Sequence, residues 1–212
     1  MNSIPFSAAA DRNKQPILEV LRKVLPAKGS ALEIASGTGQ HVTWFGAGMP
    51  EWTWQPSDAD PETLLAIAAW ITQAGVTNVQ PPVHIDVLEP QWPARGIRFT
   101  EPFDAVFCAN MLHISPWSAC AALMRGAARH LTPKGVLVTY GPYFEDDVPT
   151  AAGNLSFDLS LRIRDPSWGL RRVEEVAKQA RLAGLRLHSR HQMPANNLLL
   201  VWGRGYSTPS NS

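Results

Sequence analysis

The sequence predicts an α/β fold: a mostly parallel sheet with helices on both faces that ends in an antiparallel pair of strands. Three observations lead there. Apolar runs of strand length alternate with helical stretches from residue 30 to residue 140, a pattern that builds parallel sheets. The first run breaks into a glycine-rich turn that opens a helix, the place where such sheets take up ligands. The last two runs, L-R-L-H-S-R-H-Q-M-P and N-N-L-L-L-V-W-G, are joined too closely for a crossover and must pair antiparallel.

Taken in order, residues 1–28 supply an arm and a helix, and residues 31–42 read A-L-E-I-A-S-G-T-G-Q-H-V. Glu33 lies inside that strand, beside the turn. Backbone N–H groups at a strand-turn-helix junction attract anions, but a carboxylate next to them suits a ligand with a cationic end, an ammonium or a sulfonium. S-adenosylmethionine carries both. The dinucleotide fingerprint needs three spaced glycines, but the register from Ala35 and Gly37 ends on Gln40 and the register from Gly37 and Gly39 ends on Val42. A phosphate loop is excluded because Gln40, His41 and Val42 follow Gly39. The modest alternative is a tight strand-to-helix connection with no ligand.

Two further acids fall where the next strands end. W-T-W-Q-P-S-D closes on Asp58, 19 residues past Gly39 and near the spacing at which an acid takes ribose hydroxyls. P-P-V-H-I-D closes on Asp86, placed to accept from an adenine amine. Asp58 could instead cap the following helix, but Asp60, directly before Pro61, is the better cap. The fourth strand, residues 103–110, stops at Asn110, and M-L-H-I-S-P-W follows. Ser115 is expected as the cap, and Pro116 in the first turn, of a helix that ends near His130. The fifth strand, G-V-L-V-T-Y, follows the turn T-P-K-G, and a helix is expected at about residues 171–183 before the final pair.

With these residues in place, the chain resembles class I S-adenosylmethionine-dependent methyltransferases over about residues 15–204. The resemblance implies a Rossmann-like sheet of seven strands with a C-terminal antiparallel hairpin. It implies that Glu33, Ala35, Gly37 and Gly39 hold the methionine part of S-adenosylmethionine, Asp58 the ribose and Asp86 the adenine. Asn110, Met111 and Leu112 would line the methionine and adenine. One position departs: Ala35 stands where the family has its first glycine. The pieces A-A-A-D-R-N-K-Q-P-I-L, E-I-A-S-G-T-G-Q-H, Y-G-P-Y, S-F-D-L-S-L-R, D-P-S-W-G and M-P-A-N-N resemble a methyltransferase-like branch classed as a domain of unknown function. That resemblance implies no substrate.

With 212 residues, 45% hydrophobic and 17% charged, the chain can bury one core, and a single domain over 1–212 is expected. Within it, residues 141–170 form a lid-like insertion and residues 205–212 a flexible tail. Nineteen Lys and Arg stand against eighteen Asp and Glu, which gives no footprint for nucleic acid. Only Cys108 and Cys120 are present, so no disulfide framework and no metal site is expected. No stretch reaches membrane-spanning length, and the start lacks the pattern of a signal peptide, so the cytoplasm is the expected compartment. A homodimer is compatible with these features.

Methyl transfer needs alignment, dehydration and at most a base. His113 and Tyr143 are the catalytic candidates. Arg12, Asn13, Tyr140, Trp168, Asn196 and Asn197 are the candidates for contact with a small-molecule acceptor. Residues 153–168 are too long for a simple connection and are expected to form a lid helix. Each candidate has an ordinary counterpart: His113 as a hydrogen-bonded structural residue, Tyr143 and Trp168 as packing, Arg162 and Arg164 as a solvated face, Asn196 and Asn197 as turn residues. Two other functions compete. A nicotinamide-dependent oxidoreductase is opposed by Glu33 and the missing third glycine. A non-catalytic protein that binds S-adenosylmethionine or S-adenosylhomocysteine is compatible with every cofactor-side residue.

Overall fold

The computed structural model describes residues 4–94, 96 and 98–205, so the expected tail lies outside the described residues except for Gly205. Helix α1 (Ala8–Val24) is capped by Ser7, whose hydroxyl accepts from the Ala10 N–H, and it buries Ile17, Leu18 and Leu21. Strand β1 (Gly29–Ile34), helix α2 (Gln40–Gly48), strand β2 (Trp52–Asp58), helix α3 (Pro61–Ala74) and the short strand β3 (Val83–His84) follow. Asp60 caps α3 by accepting from the Glu62 N–H, which leaves Asp58 outside the cap.

Strand β4 (Phe103–Ala109) leads into a 3₁₀ turn at Met111–His113, then helix α4 (Ser118–His130) and strand β5 (Leu131–Gly141). Helix α4 begins later than expected. The Ser115 hydroxyl donates to the Met111 carbonyl at 2.7 Å, which closes the 3₁₀ turn, and Trp117 takes the cap position without a side-chain bond. Ser115 is therefore spent on the turn behind it, not on the helix ahead.

The insertion holds two short strands, β6 (Tyr143–Phe144) and β7 (Arg171–Arg172), which pair parallel with each other, and helix α5 (Ala152–Arg164) between them. Helix α5 buries Asn154 and Leu161 and exposes Leu155, Phe157, Leu159 and Ile163. Helix α6 (Val173–Leu182) returns the chain to the sheet through strands β8 (Leu185–Met193) and β9 (Asn197–Arg204).

Seven strands make one sheet in the order β3-β2-β1-β4-β5-β9-β8. The first five are parallel, and β9 runs antiparallel to both β5 and β8. Alternate residues of β1 serve opposite faces. Leu32 and Ile34 join a core with Leu123, Val176 and Trp202, whereas Ala31 joins one with Ile17, Phe45 and Ile67. The strand order reverses between β1 and β4, and their carboxyl ends stand side by side with Ile34 opposite Cys108. Open α/β sheets bind ligands at such a reversal. Among the described residues no helix is long and apolar enough to cross a membrane.

Candidate active site

The turn after β1 is bent by three consecutive odd-numbered residues in the left-handed region: Ala35 at φ 54°, Gly37 at 57° and Gly39 at 85°. Gly39 has a packing reason as well, since a Cβ there would stand 3.0 Å from the Ile67 Cα. A Cβ on Gly37 would meet nothing within 4 Å and would project into open space. Ala35 follows the same path at a strain of about 1 to 3 kcal/mol, so the missing first glycine does not unmake the turn. Strand β2 staples the turn. The Ser57 hydroxyl donates to the Glu33 carbonyl at 2.7 Å, and the Ser36 N–H donates to the Ser57 carbonyl at 2.9 Å.

Glu33 is 1% exposed, and its Oε2 has no hydrogen-bond partner. Burial pushes its carboxyl up to about 8, and the neighbouring Asp58 charge adds to the shift while a bond from Ser36 opposes it. Asp58 accepts from the Gly37 N–H at 3.0 Å and from the Asp60 N–H at 3.1 Å, so it braces the glycine turn from the end of β2. Asp86 lies two residues past the short strand β3 and accepts from the Leu88 N–H at 2.9 Å. Asn110, at φ 61°, donates its N–H to the Tyr140 carbonyl at 2.8 Å and ties β4 to β5. Met111 and Leu112 are buried beside it. Glu33, Ala35, Gly37, Gly39, Asp58, Asp86 and Asn110 to Leu112 thus share the carboxyl edge of the parallel strands.

A cavity of about 780 Å³ opens on the same edge. Helix α1 contributes Ala9, Arg12 and Asn13, the β4 and β5 ends contribute Asn110, Tyr140 and Pro142, helix α5 contributes Asn154 and Phe157, and the β8–β9 connection contributes Pro194, Ala195 and Asn197. Four of the acceptor candidates, Arg12, Asn13, Tyr140 and Asn197, therefore meet there. Asn196 meets the site only through its backbone, where its carbonyl accepts from Asn154 Nδ2 at 3.0 Å. Trp168 stays outside, its ring covered by the Arg164 guanidinium at 5.2 Å, and Arg162 pairs with Asp158 at 2.9 Å on the same helix.

His113 and Tyr143 lie off the cavity wall. They are 1% and 5% exposed and pack edge to face with ring centroids 4.9 Å apart. The 3₁₀ turn carries His113 inward, and β5 presses on it so closely that a Cβ on Gly141 would stand 2.4 Å from Nε2. Both His113 nitrogens and the Tyr143 hydroxyl lack hydrogen-bond partners. Burial, helped by the Arg171 charge, lowers His113 to about 3, and burial raises Tyr143. Neither ring lines the 780 Å³ cavity, although Tyr143 borders a smaller one of about 100 Å³ beside Asn154 and Asn196. Both stand just beyond the β4 and β5 ends as expected, but their rings pack into the core and not onto the large cavity.

Three contributors escape a reading of the sequence. Arg171 donates to the carbonyls of Leu112 at 2.9 Å, Ser115 at 2.7 Å and Ser167 at 2.9 Å, and so clamps the floor of the site to the insertion. His41, buried against Phe45, stands 2.6 Å from Asn13 Oδ1. Asn154 sits mid-helix, where an Asn carries no signal of a site. No local spacing marks any of the three.

A family model described as "Protein of unknown function (DUF938)" matches residues 4–204. The chain belongs to the DUF938 family. Several solved structures similar to this DUF938 chain are described as methyltransferases. An O-methyltransferase family protein from Burkholderia thailandensis superposes with a TM-score of 0.77 at 21% identity, over 93% of this chain and 57% of that one. An O-methyltransferase family 2 protein from Planctomyces limnophilus, in complex with apigenin, gives 0.75 at 20% identity over 93% and 60%. A methyltransferase of calicheamicin biosynthesis in its S-adenosylhomocysteine-bound form gives 0.73 at 15% identity over 93% and 55%. These likenesses establish the fold. The DUF938 chain spans under two thirds of each of these neighbours. Among its described residues no group of three or more His, Cys, Asp or Glu gathers as a metal site.

Proposed function

We propose that this protein transfers a methyl group from S-adenosylmethionine to a small-molecule acceptor held in the 780 Å³ cavity. The observation that carries this reading is Glu33: a buried carboxyl with one oxygen unpartnered, at the base of a turn that opens above Gly37. A buried polar atom without a partner is costly, and a ligand with a cationic end satisfies it. A pyrophosphate would hold that carboxyl protonated and gain no charge pairing from it.

In this reading Glu33 and the Gly37 turn receive the amino-acid end, Asp58 the ribose hydroxyls and Asp86 the adenine amine, while Asn110, Met111 and Leu112 line the remainder. S-adenosylmethionine supplies a methyl group already activated on a sulfonium. The chain's own residues then have to orient the acceptor and exclude water. Tyr140 and Asn13 form one wall, and α5 with Phe157 covers the other. The descriptions of the S-adenosylhomocysteine-bound and apigenin-bound neighbours support a cofactor and a flat acceptor of this kind. Cys108 and Cys120 are free and buried, in keeping with a reducing compartment such as the cytoplasm.

A second reading, a non-catalytic holder of S-adenosylmethionine or S-adenosylhomocysteine, is favoured by the burial of His113 and Tyr143 away from the cavity. Calorimetry tests the shared part of both readings: S-adenosylhomocysteine and S-adenosylmethionine are expected to bind, NAD and ATP not. Comparable affinity for NAD would sink the cofactor assignment. Turnover of labelled S-adenosylmethionine against a small-molecule extract separates enzyme from holder, and binding without any transfer selects the holder.

A further inference from the structure

The cavity is polarised, and its polarity is set by buried neighbours. On the side of α1 and β5, Asn13 Oδ1 only accepts, so the His41 proton sits on Nε2, 2.6 Å away. Burial lowers His41 to about 4 and keeps that ring neutral. Tyr140 lines the same side, and burial raises its hydroxyl above the ordinary value, so that it keeps a proton to donate. Arg12, on the same stretch of α1, has a guanidinium with no ion pair or hydrogen bond among the described residues. This side offers donors and one positive charge.

The side built from α5 and the β8–β9 connection is the reverse. Asn154 Nδ2 donates to the Asn196 carbonyl at 3.0 Å, and Asn197 Nδ2 donates to the Pro194 carbonyl at 2.9 Å. Each amide spends its amino group on the backbone and keeps its carbonyl oxygen, an acceptor. The rest of the lining is apolar except for Asn110, with Phe157 the largest apolar side chain. Arg12 is the one charged side chain among the lining residues, and no carboxylate joins it there.

Building on the methyl-transfer reading above, we infer that the acceptor is a small, flat organic acid: Arg12 and Tyr140 take its carboxylate, and Asn154 and Asn197 take an O–H or N–H at its far end. An anion opposite a lone guanidinium gains a charge-assisted bond, and the free amide oxygens match a donor better than a second anion. The cofactor's amino-acid arm also ends in a carboxylate, so the test must tell the two apart.

The probes are 4-hydroxybenzoate and its neutral counterpart 4-hydroxybenzamide, titrated by calorimetry into protein loaded with S-adenosylhomocysteine. The acid is expected to bind at least about tenfold tighter than the amide, and Arg12→Gln to erase that preference. Arg12→Gln is also expected to leave S-adenosylhomocysteine affinity within about twofold. Equal binding of acid and amide, or no binding of the acid, overturns the inference. A large loss of S-adenosylhomocysteine affinity in Arg12→Gln overturns it too, by assigning the guanidinium to the cofactor. The same titration without cofactor separates the two readings: acid preference that depends on Arg12 upholds this inference even where S-adenosylhomocysteine fails to bind, and that failure breaks only the cofactor assignment.

Discussion

Glu33, Asp58 and Asp86 stand at or just beyond the carboxyl ends of three neighbouring strands, whereas Arg12, Tyr140, Asn154 and Asn197 converge on their cavity from four distant segments of the chain. The first group is acidic, and its Asp58 carboxylate accepts from the Gly37 and Asp60 N–H groups along the sheet edge. The second carries one positive charge and is held by side-chain bonds between elements, such as Asn154 to the Asn196 carbonyl. An acidic edge of this kind, the cofactor side in the proposed function, is made by the fold itself. The cavity is assembled on top of it, from helix α1, an inserted helix and a hairpin connection, and such parts can change without disturbing the sheet.

The largest expected effect breaks the cofactor edge at Gly39. Gly39→Val places a branched side chain at φ 85°, with its Cβ 3.0 Å from the Ile67 Cα. A loss of about 2 to 4 kcal/mol in denaturant unfolding is expected, together with loss of S-adenosylhomocysteine binding. Phe157→Ala, on the exposed side of the cavity, should stay within about 0.5 kcal/mol and keep cofactor affinity. If the two variants behave alike, the halves are not separable.

A smaller effect sharpens the contrast through pH. Glu33 is raised to about 8 in the folded chain, so its stabilising contribution is complete below its ordinary value of 4.5 and is lost as pH rises through 8. His41 and His113 are lowered to about 4 and about 3, so theirs is complete above 6.5 and is lost as pH falls. The unliganded protein is therefore expected to lose melting temperature between pH 6.5 and 8.5, with a slope of at most about 1.4 kcal/mol per pH unit. Glu33→Gln should flatten that limb alone. A cation bound at Glu33 should drive its proton off, so cofactor binding at pH 7 should release close to one proton, read as a buffer-dependent binding enthalpy. An unchanged alkaline limb in Glu33→Gln would show that another group sets it.

The smallest effect concerns the buried pair below the cavity. The Tyr143 hydroxyl has no hydrogen-bond partner, so Tyr143→Phe removes a buried polar atom and keeps the edge-to-face contact with His113. Stability should hold or rise by up to about 1 kcal/mol, and any transfer rate should stay within about twofold. A hundredfold loss of rate with intact cofactor binding would return Tyr143 to the chemistry.

Much of the sheet was legible from local pattern alone. Apolar runs of strand length, the turn at Gly37 and Gly39 and the Asp60–Pro61 helix start depend on a few adjacent residues, and the structure follows them. The acids at 33 and 58 could be placed for the same reason: a parallel strand delivers its last residues to one edge whatever packs around it. Ser115 shows where local pattern stops, because two partners lay within its reach and the 3₁₀ turn took it.

Exposure and partnership were decided elsewhere. His113 and Tyr143 occupy chain positions that read as cleft residues, yet whether a side chain faces a cavity or the core depends on the elements packed over it. Here those are Gly141 against the His113 ring and the β6–β7 pair around Tyr143. Asn154, His41 and Arg171 gain their roles only from neighbours 42, 28 and 59 positions away. Hydrogen bonds over such separations leave no period or spacing in the chain, because the partner is chosen by how helices and loops pack and not by what lies next in sequence.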